Sequence, residues 1–89
     1  MPSIESLEYS SRFLKKLSRL PKRTIDEAQK KERLFKVEPF YPSLRTHKLH
    51  GRDRGAWAFW IDYRYRIKFV FVTEAKVLFL DVGLHDIYD

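Results

Sequence analysis

Cysteine is absent from this 89-residue chain, and glycine and histidine occur only three times each. Without cysteine no disulfide can staple a domain of this size, so an apolar core has to hold it together. The same absence, with histidines scattered at positions 47, 50 and 85, leaves no spacing suited to zinc. Three dispersed glycines cannot form a phosphate-cradling loop, which removes the common nucleotide-cofactor readings. The serines lie near the start or in the proline-bounded connection, so a serine hydrolase has no support either. No apolar run approaches the roughly 20 residues of a membrane span, and no basic head with an apolar run behind it opens the chain. The expectation is one soluble, cytoplasmic domain over residues 1–89, with no membrane association, no metal and no small-molecule cofactor.

What is present can supply the core. Hydrophobic residues make up 44% of the chain, and seven Phe, five Tyr and two Trp bury much area per residue. The net charge is +6, with ten basic residues against three acids between Arg12 and Lys36. A polyanion or an acidic protein complements such a segment, and solvated outer faces of two helices account for it equally well.

Ile4–Tyr9 reads as a short edge strand. Ser10 or Ser11 caps a helix whose Phe13, Leu14, Leu17 and Leu20 share one face until Pro21. Thr24-Ile-Asp-Glu27 has the form of a capping box, which starts a second helix buried through Ile25, Ala28, Leu34 and Phe35 and stopped by Pro39. The aromatic Pro39-Phe-Tyr-Pro42 connection lays Phe40 or Tyr41 against the core. Trp57–Ile61, Tyr65–Val72 and Lys76–Val82 are β-rich runs joined by short turns, and they pair antiparallel in sequence order. The fold class is α+β in the order βααβββ, a helical hairpin packed on a small, mostly antiparallel sheet.

In the middle run Tyr65, Ile67, Phe69 and Phe71 share one face, and Arg64, Arg66, Lys68, Val70 and Val72 the other. The second face is basic at its start and apolar at its end, with Val70 and Val72 open to a partner. The last run, Val77-Leu-Phe-Leu-Asp-Val82, is apolar on both sides and reads as central, with Gly83 supplying a sharp exit that turns His85 and Tyr88 back over the sheet. An imidazole and a phenol where a buried strand opens to solvent are candidates for chemistry, and a polar terminus without function is the plain alternative.

These features taken in order, with the His47-Lys-Leu-His-Gly51 turn, the Ala56–Ile61 aromatic strand, the Tyr65-Arg66 strand and the closing Val82-Gly-Leu-His-Asp-Ile-Tyr88, resemble the RelE/ParE toxin superfamily over nearly the whole chain. The resemblance implies the toxin half of a toxin-antitoxin pair, a metal-independent endoribonuclease that cleaves messenger RNA, with the ribosome as one setting, blocks translation and is neutralised by a cognate antitoxin protein. A ParE-like inhibitor of DNA gyrase stays open beside it, as does an inert member that acts with its antitoxin on operator DNA. In the ribonuclease reading Arg66 binds phosphate, His85 matches a terminal His or Arg of the site, Tyr88 a terminal aromatic, and His47 the histidine of the YafQ-like turn. Lys48, Arg52, Arg54 and Arg64 then add contacts to RNA. RelE's own strand lysines are replaced here by Ala58 and Trp60, so that lysine-driven site is absent. Two imidazoles and an arginine suffice for cleavage, because a histidine near its ordinary pKa of about 6.5 gives or takes a proton at neutrality while a guanidinium holds the charge that builds on phosphorus.

Overall fold

A computed structural model describes residues 3–88, with the backbone only of Tyr88. Strand β1 (Ser6–Tyr9) leads into helices α1 (Ser11–Ser18) and α2 (Lys22–Val37), followed by strands β2 (His47–Lys48), β3 (Trp57–Trp60), β4 (Tyr65–Phe71) and β5 (Lys76–Leu84). Single 3₁₀ turns cover Pro42–Leu44, Gly51–Asp53 and His85–Tyr88. The sheet order is β1-β5-β4-β3-β2, with β1 parallel to β5 and every other pair antiparallel. The α+β class and the antiparallel β3-β4-β5 meander agree with the sequence reading. The two-residue strand β2 at the sheet edge is an addition to it, too short to carry any periodicity. No helix among the described residues is long and apolar enough to cross a membrane.

Local chemistry explains where each helix begins. The Ser10 hydroxyl accepts the amide of Phe13 at 3.0 Å, the usual N-cap bond, and α1 follows. The capping box expected at Thr24 does not form. Helix α2 starts two residues earlier behind Pro21, whose carbonyl accepts the amides of Thr24 and Ile25, and this leaves Thr24 buried inside the first turn. Leu14 also departs from expectation and is half exposed, since Phe13 is the residue of α1 that enters the core.

The core is aromatic and lies between the helices and one face of the sheet. Phe35 stacks on Phe59 at 4.6 Å between ring centres and meets Phe69 edge-on at 4.9 Å, with Phe13 against Phe79 at 5.3 Å. Ile61, Ile67, Val77 and Val82 fill the remainder. Phe40 remains part-exposed but packs edge-on against Trp57.

Strand β5 contains a bulge. Lys68 pairs with Asp81 while Phe69 pairs with Phe79, so Leu80 has no residue opposite. Strict alternation after Val77 and Phe79 would drive the Asp81 carboxylate into the aromatic core. The bulge turns Asp81 to the other face and brings Val82 into the core, where strict alternation would have left Val82 on the face of Leu78 and Leu80. Ser10 donates its hydroxyl to the Leu80 carbonyl at 2.9 Å, so one residue both caps α1 and satisfies the bulge.

Gly83 is not an exit turn. The strand runs through it to Leu84 without a left-handed φ. A Cβ at Gly83 would stand 2.7 Å from Cγ2 of Ile87, so the missing side chain is the space into which the tail packs.

Candidate functional site

The face of the sheet turned away from the helices carries two rows of side chains. His47, Ala58, Lys68 and Asp81 form one, through the pairing of β2, β3, β4 and β5, and Trp60, Arg66 and Gly83 form the next. The 49–56 loop folds back over part of this face, with Leu49 and Ala56 packed on Ala58 and Val70. Val70 is therefore covered rather than open as expected, whereas Val72 is exposed.

Charges that the loop and tail would bury are paired. The Lys68 ammonium donates to Asp53 at 3.0 Å and to the carbonyl of Ile87 at 3.4 Å, so one side chain ties the sheet centre to the loop and to the C-terminal tail. Asp81 is buried and holds Lys16 at 2.6 Å and Arg12 at 3.6 Å. Sequence reasoning missed this network. Its signal was an acid inside an otherwise apolar strand, since a buried carboxylate requires a cation.

Arg66 lies at the heart of the second row and is buried. Its guanidinium sits 3.9 Å from the centre of the Trp60 ring, and its Nη1 donates to the carbonyls of Asp62 and Tyr63 at 2.8 Å and of Tyr65 at 3.3 Å. Arg66 thereby braces the β3–β4 turn, which the Asp62 carboxylate closes by accepting the amides of Arg64 and Tyr65, both at 2.8 Å. A second guanidinium, that of Arg45, lies 4.6 Å from the centre of the same indole. Arg45 went unremarked in the sequence because its position depends on a left-handed backbone (φ 50°) that no residue type there announces. His47 joins this group, with Nδ1 2.7 Å from the Arg45 carbonyl.

His85 occupies a different setting. It is exposed at the end of β5, beside a small cleft formed with Tyr63, Arg64 and Leu84. The strands carrying His47 and leading to His85 stand three places apart, about 14 Å at the usual interstrand spacing of roughly 4.8 Å, with Arg66 between them. The two imidazoles thus flank the arginine rather than meet. The side chain of Tyr88 lies outside the described residues.

The remaining basic candidates are all exposed. Lys48 has its ammonium 6.0 Å from the Trp57 ring centre, and Arg64 its guanidinium 5.7 Å from that of Tyr65. Arg52 and Arg54 flank Asp53 on the folded-back loop. Among the described residues no group of three His, Cys, Asp or Glu is placed to hold a metal ion.

No protein-family profile matches the chain, and no curated protein sequence matches it. Solved structures do match by shape. YafQ from E. coli strain BL21(DE3) superposes with a TM-score of 0.76 at 18% identity, over 91% of this chain and 93% of that one. A chain of the RelBE2 toxin-antitoxin complex from Mycobacterium tuberculosis gives 0.75 at 17% identity, over 96% and 100%. The YoeB/ParE toxin from Agrobacterium tumefaciens gives 0.74 at 17% identity, over 90% and 98%. At these identities the likeness is one of architecture, and the chain has the RelE/ParE/YafQ toxin fold.

Proposed function

We propose that the chain is the toxin of a toxin-antitoxin pair and acts as a metal-independent endoribonuclease on messenger RNA, blocking translation until a cognate antitoxin protein binds it. The observation that carries this reading is the placement of His85 beside the turn braced by Arg66, within a fold shared with YafQ from E. coli and the YoeB/ParE toxin from Agrobacterium tumefaciens.

Cleavage requires the 2′-oxygen of the RNA to attack the adjacent phosphorus while the bond to the 5′-oxygen breaks. A base takes the 2′-hydroxyl proton and an acid gives one to the departing 5′-oxygen, leaving a 2′,3′-cyclic phosphate and a 5′-hydroxyl. His85 is exposed and has no hydrogen bond or ion pair among the described residues, so its ring is available for either transfer. Arg45 and Arg66, gathered over one indole, put positive charge where the phosphorane gains negative charge. Tyr88 can stack on a base or donate its phenolic proton, and His47 can serve the opposite end of the reaction from His85 across Arg66. Arg64, Lys48, Arg52 and Arg54 extend the positive surface along the RNA.

The test is RNA cleavage by the purified chain in chelator, with the new 5′ ends mapped. New ends within coding regions of cellular messages after induction are the expected result. His85→Ala should lower cleavage by about 10²- to 10⁴-fold while the melting curve and antitoxin binding stay unchanged. A second reading, a ParE-like inhibitor of DNA gyrase, is favoured by the separation of the imidazoles and by the commitment of Arg66 Nη1 to the backbone. Intact messages with gyrase-linked DNA breaks would establish it in place of the first.

A further inference from the structure

Tyr63, at the tip of the β3–β4 turn, is 81% exposed and belongs to neither of the two core clusters, yet its place is tightly set. Arg66 Nη1 donates to its carbonyl at 2.8 Å, and the Asp62 carboxylate holds the amides of the two residues that follow it. Its ring meets Trp60 edge-on, with the ring centres 6.2 Å apart and the planes at 87°. The turn therefore carries an aromatic ring into solvent in a fixed attitude, with little freedom left to lose on binding.

A single exposed aromatic side chain is ordinary on a protein surface, and the cleft beside it is what sets this one apart. Tyr63 lines a mostly apolar cleft of about 240 Å³ with Leu84, Arg64 and His85. Leu84 is itself 40% exposed, so an apolar wall and an aromatic ring stand open to water side by side. No acid among the described residues lines this cleft, and its cation is the Arg64 guanidinium, next to an imidazole. A flat body with negative charge attached suits such a place, and a nucleotide is built that way. Its base stacks on aromatic rings and guanidinium planes, and its phosphate needs the cation. An acidic protein segment would use the arginine and leave the ring and Leu84 without purpose.

We propose that Tyr63 is the base-stacking residue of the site: a nucleobase of single-stranded RNA lies on its ring in this cleft, which puts the attached ribose and phosphate beside Arg64 and His85. The contact rests on the ribonuclease reading and deepens it, since the substrate is then held by the face of a base as well as by its phosphate. Stacking of this kind tolerates any base, so the contact sets where the strand lies and leaves sequence choice to other residues. A 2′-O-methylated oligonucleotide, which cannot be cleaved, serves as the probe, beside a series of the same strand with one abasic position each, and binding is followed by fluorescence anisotropy. Tyr63→Ala should weaken the intact probe about 5- to 150-fold, the scale of one lost base–aromatic stack, with the melting curve unchanged. Tyr63→Phe should bind within about two-fold of the parent, because the contact uses the ring. At one position of the series the missing base should weaken the parent as much as Tyr63→Ala does and cost Tyr63→Ala nothing further, a coupling that a merely structural side chain would not produce. Equal affinity of Tyr63→Ala and the parent, or losses that add at every abasic position, overturns the contact, and cleavage by the parent then leaves the ribonuclease reading standing. Antitoxin binding weakened by Tyr63→Ala with RNA binding unchanged assigns the ring to the protein partner and overturns the contact likewise. A folded parent that binds no probe but cuts RNA removes the contact alone, and one that does neither removes both.

Discussion

Gly83 has ordinary strand geometry, and its contribution is a missing atom. Ile87 fills the place a Cβ would take, so Gly83→Ala must push the tail, and His85 with it, off the sheet. The expected cost is about 1–3 kcal/mol from overpacking, read as a lower melting temperature. Ile87→Ala in the same chain should recover most of it, and a double variant no more stable than Gly83→Ala would show that the two residues do not compete for space. Lys68 makes the opposite kind of contact. Its ammonium satisfies one oxygen of Asp53, while the other oxygen is buried without a partner. Lys68→Met should therefore cost about 3 kcal/mol, because it strands a buried carboxylate. Adding Asp53→Leu should return most of that stability, and denaturant titration of the four chains gives the coupling directly.

At the scale of the elements, β1 and α2 are joined by one hydrogen bond, from the Tyr9 hydroxyl to Glu32 at 2.8 Å. Burial, this bond and the Glu32 charge together push the Tyr9 phenol up to about 12 from its ordinary 10.0. A phenol whose folded value is raised holds its proton better in the folded state. Its stabilisation is complete below pH 10 and disappears as the pH rises from 10 to 12. Unfolding measured across that range should show a loss that Tyr9→Phe reduces, and equal slopes in the two chains would exclude the effect. The elements also differ in how openly the sequence displayed them. Alternation in Tyr65–Phe71 and the serine before Phe13 exposed β4 and the start of α1, because each depends on neighbours in sequence. Thr24 does not cap because the helix already opens at Lys22, with Pro21 as the residue whose carbonyl accepts the amides of Thr24 and Ile25. The bulge at Leu80 and the place of Arg45 beside Trp60 depend on residues of another strand, and the packing of Ile87 on Gly83, only four residues on, depends on the 3₁₀ turn between them, so alternation within one run carries no record of any of the three. For the same reason His47 and His85 were legible as residues while their separation was not.

Across the whole molecule, the helices present basic residues outward while the other sheet face is partly covered by its own loop and tail. If the proposed antitoxin covers the helices it should be acidic there, and its affinity should fall as salt rises. Affinity that is flat between low and high salt would assign the contact to apolar surface such as Val72 and Leu14. The parallel pairing of β1 with β5 has a further consequence, because Ser10 is fastened to Leu80, 70 residues along the chain. Closing so long a loop costs about 4 kcal/mol in chain entropy before any contact repays it. A ribosome releases the helical hairpin first, with Phe13 and Phe35 still lacking the strands that cover them, and the sheet cannot close until β5 has emerged. Nascent chains stalled short of Lys76 should be digested readily by protease, and chains with Leu84 outside the ribosome should resist. Growth of the polypeptide thereby acts as a clock: Arg66 and the turn it braces are synthesised first, and His85 takes its place beside that turn only when the last strand has paired with β4.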